Sequence, residues 1–122
     1  MSDQVEINAD ADAVICLHTH DMPWQSTSHA GVSEIILERI INPEKGRVTA
    51  LLKLEPGASL PTESLTTRTE IFVLEGSCSD GIDTYGRRTF VRNPAGIEIT
   101  LSSADGCELY IKRRNPFRDN DE

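Results

Sequence analysis

The 122-residue sequence predicts an all-β domain, and three observations carry that expectation. Apolar residues alternate with polar ones over several short stretches. Clusters of Gly, Pro, Asn and Asp separate those stretches at short intervals. Only one segment also satisfies helical spacing. Eight or so short strands of this kind build a sandwich or a closed barrel.

Taken in chain order, Ala13-Val-Ile-Cys-Leu17 is an apolar run suited to a strand, and Met22-Pro-Trp-Gln25 is irregular. Glu34 to Ile41 is the ambiguous segment. Its four isoleucines and the following Asn42-Pro43 favour a strand, because β-branched side chains suit the pleat and proline stops a helix. Lys45-Gly46 turns the chain into Arg47–Leu54, where Val48, Ala50, Leu52 and Leu54 share one face. Glu55-Pro-Gly57 closes that strand. Thr69 to Glu75 is the next and ends at Gly76; Ser79-Asp-Gly81 is a turn. Thr89 to Arg92 is a strand before the turn Asn93-Pro-Ala-Gly96. Ile97, Ile99 and Leu101 alternate with Glu98 and Thr100, and Leu109-Tyr-Ile111 is the last strand.

Length fits one domain with a single core. Hydrophobic residues make up 38% and charged residues 26%, which excludes a disordered tail or a coiled coil. No apolar run reaches the roughly 18 residues a membrane helix needs, and Met1 to Asp12 is acidic and unlike a signal peptide. A cytoplasmic location and no membrane partner are expected. Twenty acidic against twelve basic residues give a net charge of −8, the wrong sign for neutralising phosphates, so no nucleic-acid partner is expected. Cys16, Cys78 and Cys107 are odd in number and lack a C-x-x-C spacing, which fits reduced thiols better than a disulfide framework.

A set of phrases goes beyond fold class. Pro23-Trp24, Pro56-Gly57, Pro61, Glu70 with Val73-Leu74-Glu75-Gly76, Ser79-Asp80, Tyr85, Arg92-Asn93-Pro94, Gly96 and Gly106-Cys107 stand in the order of the two cupin motifs. Over about residues 22–114 the text resembles the ChrR-like cupins. The resemblance implies a single cupin barrel, a jelly-roll-like double-stranded β-helix. It divides the chain into an N-terminal extension with one strand (residues 1–21, packing on the barrel or across a dimer), the barrel (22–114) and a flexible acidic tail (115–122).

Such domains hold one divalent metal through His, His and Glu of the first motif and a His of the second. Carried over by position, these are Glu63, Leu65, Thr69 and Ile99 here. Only Glu63 keeps a donor group, and one carboxylate does not hold a transition metal. The motif spacing also admits Glu70 as the carboxylate ligand, but spacing back from Gly76 favours Thr69. Alternation agrees, since Thr69 shares a face with Ile71 and Val73 while Glu70 faces the other way. The resemblance therefore implies a dismantled metal site, with no metal and no cofactor, and a barrel centre partly filled by Leu65 and Ile99. The glycines expected after Ser79-Asp80 and before the second motif are Asp83 and Arg88 here.

His18, His20 and His29 lie outside the motif positions; they are a weak metal-chelating set or a solvated loop. Glu63 is either a general acid or base with a raised pKa or a solvent-facing loop residue. Trp24 and Cys107 complete the pocket candidates, with Glu63, Leu65, Thr69 and Ile99. No catalytic residue is assigned, because no Ser-His-Asp set, phosphate loop or nucleotide fingerprint occurs. The expected function is a metal-free cupin acting as a small-molecule-binding or regulatory domain. The alternatives are a metal-dependent, dioxygenase-like enzyme with non-standard ligands, which the replacements argue against, and a structural dimerisation module. A homodimer is expected from the resemblance, and the anti-sigma module that ChrR carries has no counterpart in residues 1–21.

Overall fold

The computed structural model describes residues 5–61, 68–97 and 99–114. Among them the strands are β1 (Gln25–Ser26), β2 (Val32–Ile40), β3 (Arg47–Leu54), β4 (Ser59–Pro61), β5 (Arg68–Gly76), β6 (Cys78–Ser79), β7 (Thr84–Tyr85), β8 (Phe90–Asn93), β9 (Thr100–Ser102) and β10 (Cys107–Arg114), preceded by a 3-10 turn at Thr19–Asp21. They form a six-stranded sheet in the order β1-β2-β3-β10-β5-β8 and a four-stranded sheet in the order β4-β9-β6-β7. Every pairing is antiparallel.

The core lies between the two sheets. Ala50, Leu52 and Leu54 of β3, Ile71 and Val73 of β5, and Leu109 and Ile111 of β10 enter it from the larger sheet; Leu101 and Cys78 enter it from the smaller. Period-two alternation puts these side chains on one face, so burying them fixes the register. Val73, Leu101 and Leu109 are fully buried, each worth about 1.5–3 kcal/mol by transfer from water.

A bulge in β2 between Ile36 and Glu38 adjusts that alternation. Ile36 pairs with Ala50 on the core side and Glu38 pairs with Thr49 on the outer side. Without the extra residue, Glu38 would be carried into the core. On the outer face its carboxylate accepts from Thr49 Oγ1 at 2.6 Å and from Arg47 Nε at 2.8 Å. Burial pushes the Glu38 carboxyl up, but these two hydrogen bonds, with the Arg47 and Lys112 charges, hold it below the usual carboxylate range.

Gly76 is the corner where the chain leaves β5 for β6. Its φ is +78°, and a Cβ there would overlap Gly106 O and lie 2.9 Å from Cys107 Cα. The turn between the sheets is rebuilt at Arg88, where the family pattern has glycine. Arg88 takes φ +72°, and its N–H donates to Val73 O at 2.8 Å.

Several elements differ from the sequence expectation. Ala13–Leu17 pairs with no strand; Val14 is 97% exposed. An apolar run becomes a strand only where an edge is open to it. The outer edge of β2 is instead taken by β1, in the stretch expected to be irregular, and by a bridge between Ile7 and Arg39. Of the strand expected from Ile97 to Leu101, the described ladder covers Thr100–Ser102, against β4 and β6. The short strands β6 and β7 were not expected at all.

Candidate functional site

At one end of the packed core the inner faces open onto a cavity of about 430 Å³ between β1, β2, β3, β4, β5 and β10. Its walls divide by chemistry. Val32, Ala50, Leu52, Leu60 and Ile111 supply an apolar side; Ser26, Ser28, His29, Glu34, Thr69 and Arg113 supply a polar side. The volume falls within the range of small-molecule pockets, which combine apolar walls with a few placed polar groups.

The ladders explain how the polar groups arrive there. Thr69 pairs with Arg113 on β10 and with Asn93 on β8, so the three share the inner face beyond the Ile71 and Ile111 layer. Thr69 is 8% exposed. Glu34 pairs with Leu52 and so stands on the inner face of β2. His29 is placed by the approach to β2: its N–H donates to Thr27 Oγ1 at 3.1 Å, and its carbonyl accepts from Val32 N–H at 3.1 Å.

Of the residues expected at the site, Thr69 is in this cavity. Ile99 packs against the core without lining the cavity, so it fills space rather than facing a ligand. Trp24 is outside it: the ring sits under the Lys53 ammonium, 5.6 Å from ring centroid to Nζ. Lys53 projects from the outer face of β3, which carries the indole away from the cavity. Cys107 is buried at the opposite end of the core, paired with Gly76 and Leu54. Glu63 and Leu65 lie outside the described residues.

Glu70 faces away, as alternation requires. Its Oε2 is 3.7 Å from Arg92 Nε and 3.9 Å from Arg68 Nε on the outer face. His18 and His20 are exposed, ring centroids 6.3 Å apart, with His20 Nε2 3.5 Å from Asp21 Oδ2. His29 is on the cavity instead of joining them. Among the described residues no cluster of three or more His, Cys, Asp or Glu side chains is arranged to hold a metal ion.

Glu34 and Arg113 were missed from sequence, and His29 was weighed only with His18 and His20, so all three are new to the cavity. Two of them carried a signal: extending the Leu109, Ile111 alternation two residues makes Arg113 inward, and Glu34 shares parity with Ile36. His29 lies in a loop, where no periodicity speaks.

The ChrR cupin-like domain profile matches residues 12–117. The chain belongs to the ChrR cupin-like family. Solved cupins agree in fold at low identity. ChrR from Rhodobacter sphaeroides, solved in complex with SigE, superposes with a TM-score of 0.62 at 20% identity, over 76% of this chain and 49% of that one. A putative acetylacetone dioxygenase from Methylibium petroleiphilum gives 0.70 at 17% identity, covering 82% and 76%. The polyketide cyclase RemF from Streptomyces resistomycificus gives 0.67 at 16%, covering 84% and 80%. This cupin-like chain thus spans about half the length of that ChrR chain. No curated protein matches it.

Family membership makes the metal question concrete. At the two motif positions within the described residues, this ChrR-like cupin presents the Thr69 hydroxyl and the Ile99 hydrocarbon. A neutral hydroxyl and an alkane do not form a transition-metal site. At these two positions the side chains do not match the metal-ligand set that the resemblance implies.

Proposed function

We propose that this chain is a metal-independent cupin whose cavity binds a small amphipathic molecule, in a sensing or regulatory role. The observation that carries this reading is the two-sided cavity, with an apolar wall facing Glu34, His29, Thr69 and Arg113. Binding there would bury the apolar part of a ligand while hydrogen bonds orient its polar end. The complex of ChrR with SigE supports a regulatory context for the family. A cytoplasmic location belongs to the same proposal; among the described residues no helix is long and apolar enough to cross a membrane.

The test is a thermal-shift screen of small amphipathic compounds, followed by calorimetry on the hits. A ligand at a hundred times its Kd stabilises the folded state by about 2.7 kcal/mol. Binding should weaken at least about tenfold in Glu34→Gln or Arg113→Gln, the cost of roughly one charged hydrogen bond. Hits that bind both variants as well as the parent would place the ligand elsewhere. A screen without hits would favour a structural dimerisation module.

A homodimer is the proposed assembly, with a second copy of the chain on the outer face of the larger sheet. Leu51, Tyr110, Phe72 and Phe90 pair in one row across four strands; Ile35, next in the row, is already buried, whereas Phe90 is 54% exposed. The adjacent row holds Glu38, Lys112, Glu70 and Arg92, charges of both signs that suit a self-complementary contact. Sedimentation equilibrium should show a dimer for the parent and a monomer for Phe90→Glu; a monomeric parent removes this part of the proposal.

A further inference from the structure

The cavity uses neither of the two buried thiols, and the fold brings those two together. Cys78 opens β6 in the smaller sheet and Cys107 opens β10 in the larger; they are 2% and 5% exposed. Gly76 pairs with Cys107, and the corner that follows returns Cys78 to the same place. The two thiols lie in one buried cluster, close enough to interact, and neither is in a disulfide. Cys107 also lines a surface recess of about 220 Å³, together with Lys53, Glu55, Glu75 and Glu108. The recess therefore lies against buried Cys107, while Cys78 is not among the residues that line it.

We propose that Cys78 and Cys107 are an oxidisable dithiol, which a small neutral peroxide entering the recess converts into a disulfide joining the two sheets. The Cys107 thiolate attacks one peroxide oxygen, the O–O bond breaks, and the leaving hydroxide takes up a proton to become water. Cys107 is then a sulfenic acid. The Cys78 sulfur attacks the Cys107 sulfur, the S–O bond breaks, and the departing oxygen takes the Cys78 proton as a second water. Two thiols and one hydrogen peroxide give one disulfide and two waters, the peroxide being the oxidant.

Two features favour this order. Contact with the Cys78 thiol, followed by Ser103 and the Leu54 backbone, supports charge on Cys107 and outweighs burial, holding that thiol below its usual range. The same contact, then burial, pushes the Cys78 thiol up, so Cys78 keeps its proton until the second step. The recess also selects the oxidant. Three carboxylates against one ammonium disfavour an anion such as oxidised glutathione but leave an uncharged peroxide unhindered.

The experiment uses the full chain carrying Cys16→Ser, since exposed Cys16 would otherwise cross-link between molecules. Reduced, folded protein is treated with equimolar hydrogen peroxide, denatured in acid and alkylated with maleimide. The expected product is lighter by two hydrogen atoms and takes up no maleimide until a phosphine reductant restores two sites. It forms faster in the folded protein than in guanidinium. Oxidised glutathione at the same concentration should act at most about a tenth as fast.

With Cys78→Ser added, Cys107 should accumulate as a dimedone-reactive sulfenic acid; with Cys107→Ser instead, Cys78 should not react. Two maleimides retained after peroxide treatment of the folded protein, or closure no faster than in guanidinium, would overturn the proposal. Equal rates with glutathione would overturn the choice of oxidant. The folded-against-denatured comparison stands even if a serine variant fails to fold.

Discussion

Glu70 and Thr69 are neighbours in sequence and face opposite sides of the sheet: Thr69 lies 8% exposed at the cavity, while Glu70 Oε2 stands 3.7 Å from Arg92 Nε on the outer surface. A single residue separates a carboxylate that serves a surface ion pair from a hydroxyl in the position of a metal ligand. Bringing Glu70 inward would shift the register of β5 by one residue and turn Ile71 and Val73 outward. Each of those side chains holds about 1.5–3 kcal/mol of burial, far more than the ion pairs of Glu70 contribute.

The metal content follows from this placement. Protein purified without chelator should contain less than about a tenth of an equivalent of zinc, iron, manganese or nickel by elemental mass spectrometry, since three or four fixed donors are needed. A full equivalent would contradict the reading of Thr69 and Ile99. His18, His20 and Glu63 would then be the first residues to replace.

Arg88 is an exposed residue held at φ +72°. Left-handed backbone costs a non-glycine residue roughly 1–2 kcal/mol, and the greater freedom of glycine in the unfolded chain returns part of that. Arg88→Gly should therefore stabilise the protein by about 0.5–1 kcal/mol in urea unfolding. No change, or a loss, would mean that the Arg88 side chain contributes more than its backbone costs.

Gly76 is the opposite case. Gly76→Ala adds both the strain of φ +78° and an overlap with the Gly106 carbonyl, which is backbone and cannot swing aside. Loss of about 3 kcal/mol or more is expected, or failure to accumulate as folded protein. The control Gly81→Ala, at φ +91° but with open space around the new Cβ, should cost only the conformational part, roughly 1–2 kcal/mol.

Asp80 and Tyr85 set a pH window. The Asp83 N–H, then the Tyr85 hydroxyl at 2.5 Å and the Ile82 N–H, hold the Asp80 carboxyl below the usual range. Its stabilising contribution is present above the unfolded value of about 3.9 and is lost as pH falls through the lower folded value. The hydrogen bond to Asp80, with burial second, pushes Tyr85 up to about 12. That contribution is complete below the unfolded value of about 10 and disappears as pH rises through about 12. Tyr85→Phe should remove a late-titrating phenol from the near-ultraviolet absorbance curve; loss of a phenol that titrates near the ordinary value of about 10 would show that the bond to Asp80 does not persist in solution.

Much of the fold was legible because alternation is local. Val48, Ala50, Leu52 and Leu54 reveal the inner face of β3 without reference to any other strand. The same reasoning separated Thr69 from Glu70. It reached less far at Ala13–Leu17, whose composition suits a strand but which has no edge to join, and at Cys78–Ser79 and Thr84–Tyr85, which are too short to show a period. The cavity was the least legible part. Its polar wall comes from a loop before β2, from β2 itself, and from positions on β5 and β10 that meet only through the ladder.

The sequence by itself determined that this chain is a β domain of the ChrR-like cupin kind and which faces of β3 and β5 point inward. Those follow from side-chain identity and from a backbone whose faces alternate every residue. Only the tertiary structure decided which edges pair, which inward residues meet in the packed core, and where that core opens onto a cavity. Such contacts join residues far apart in the chain, and no local period encodes them.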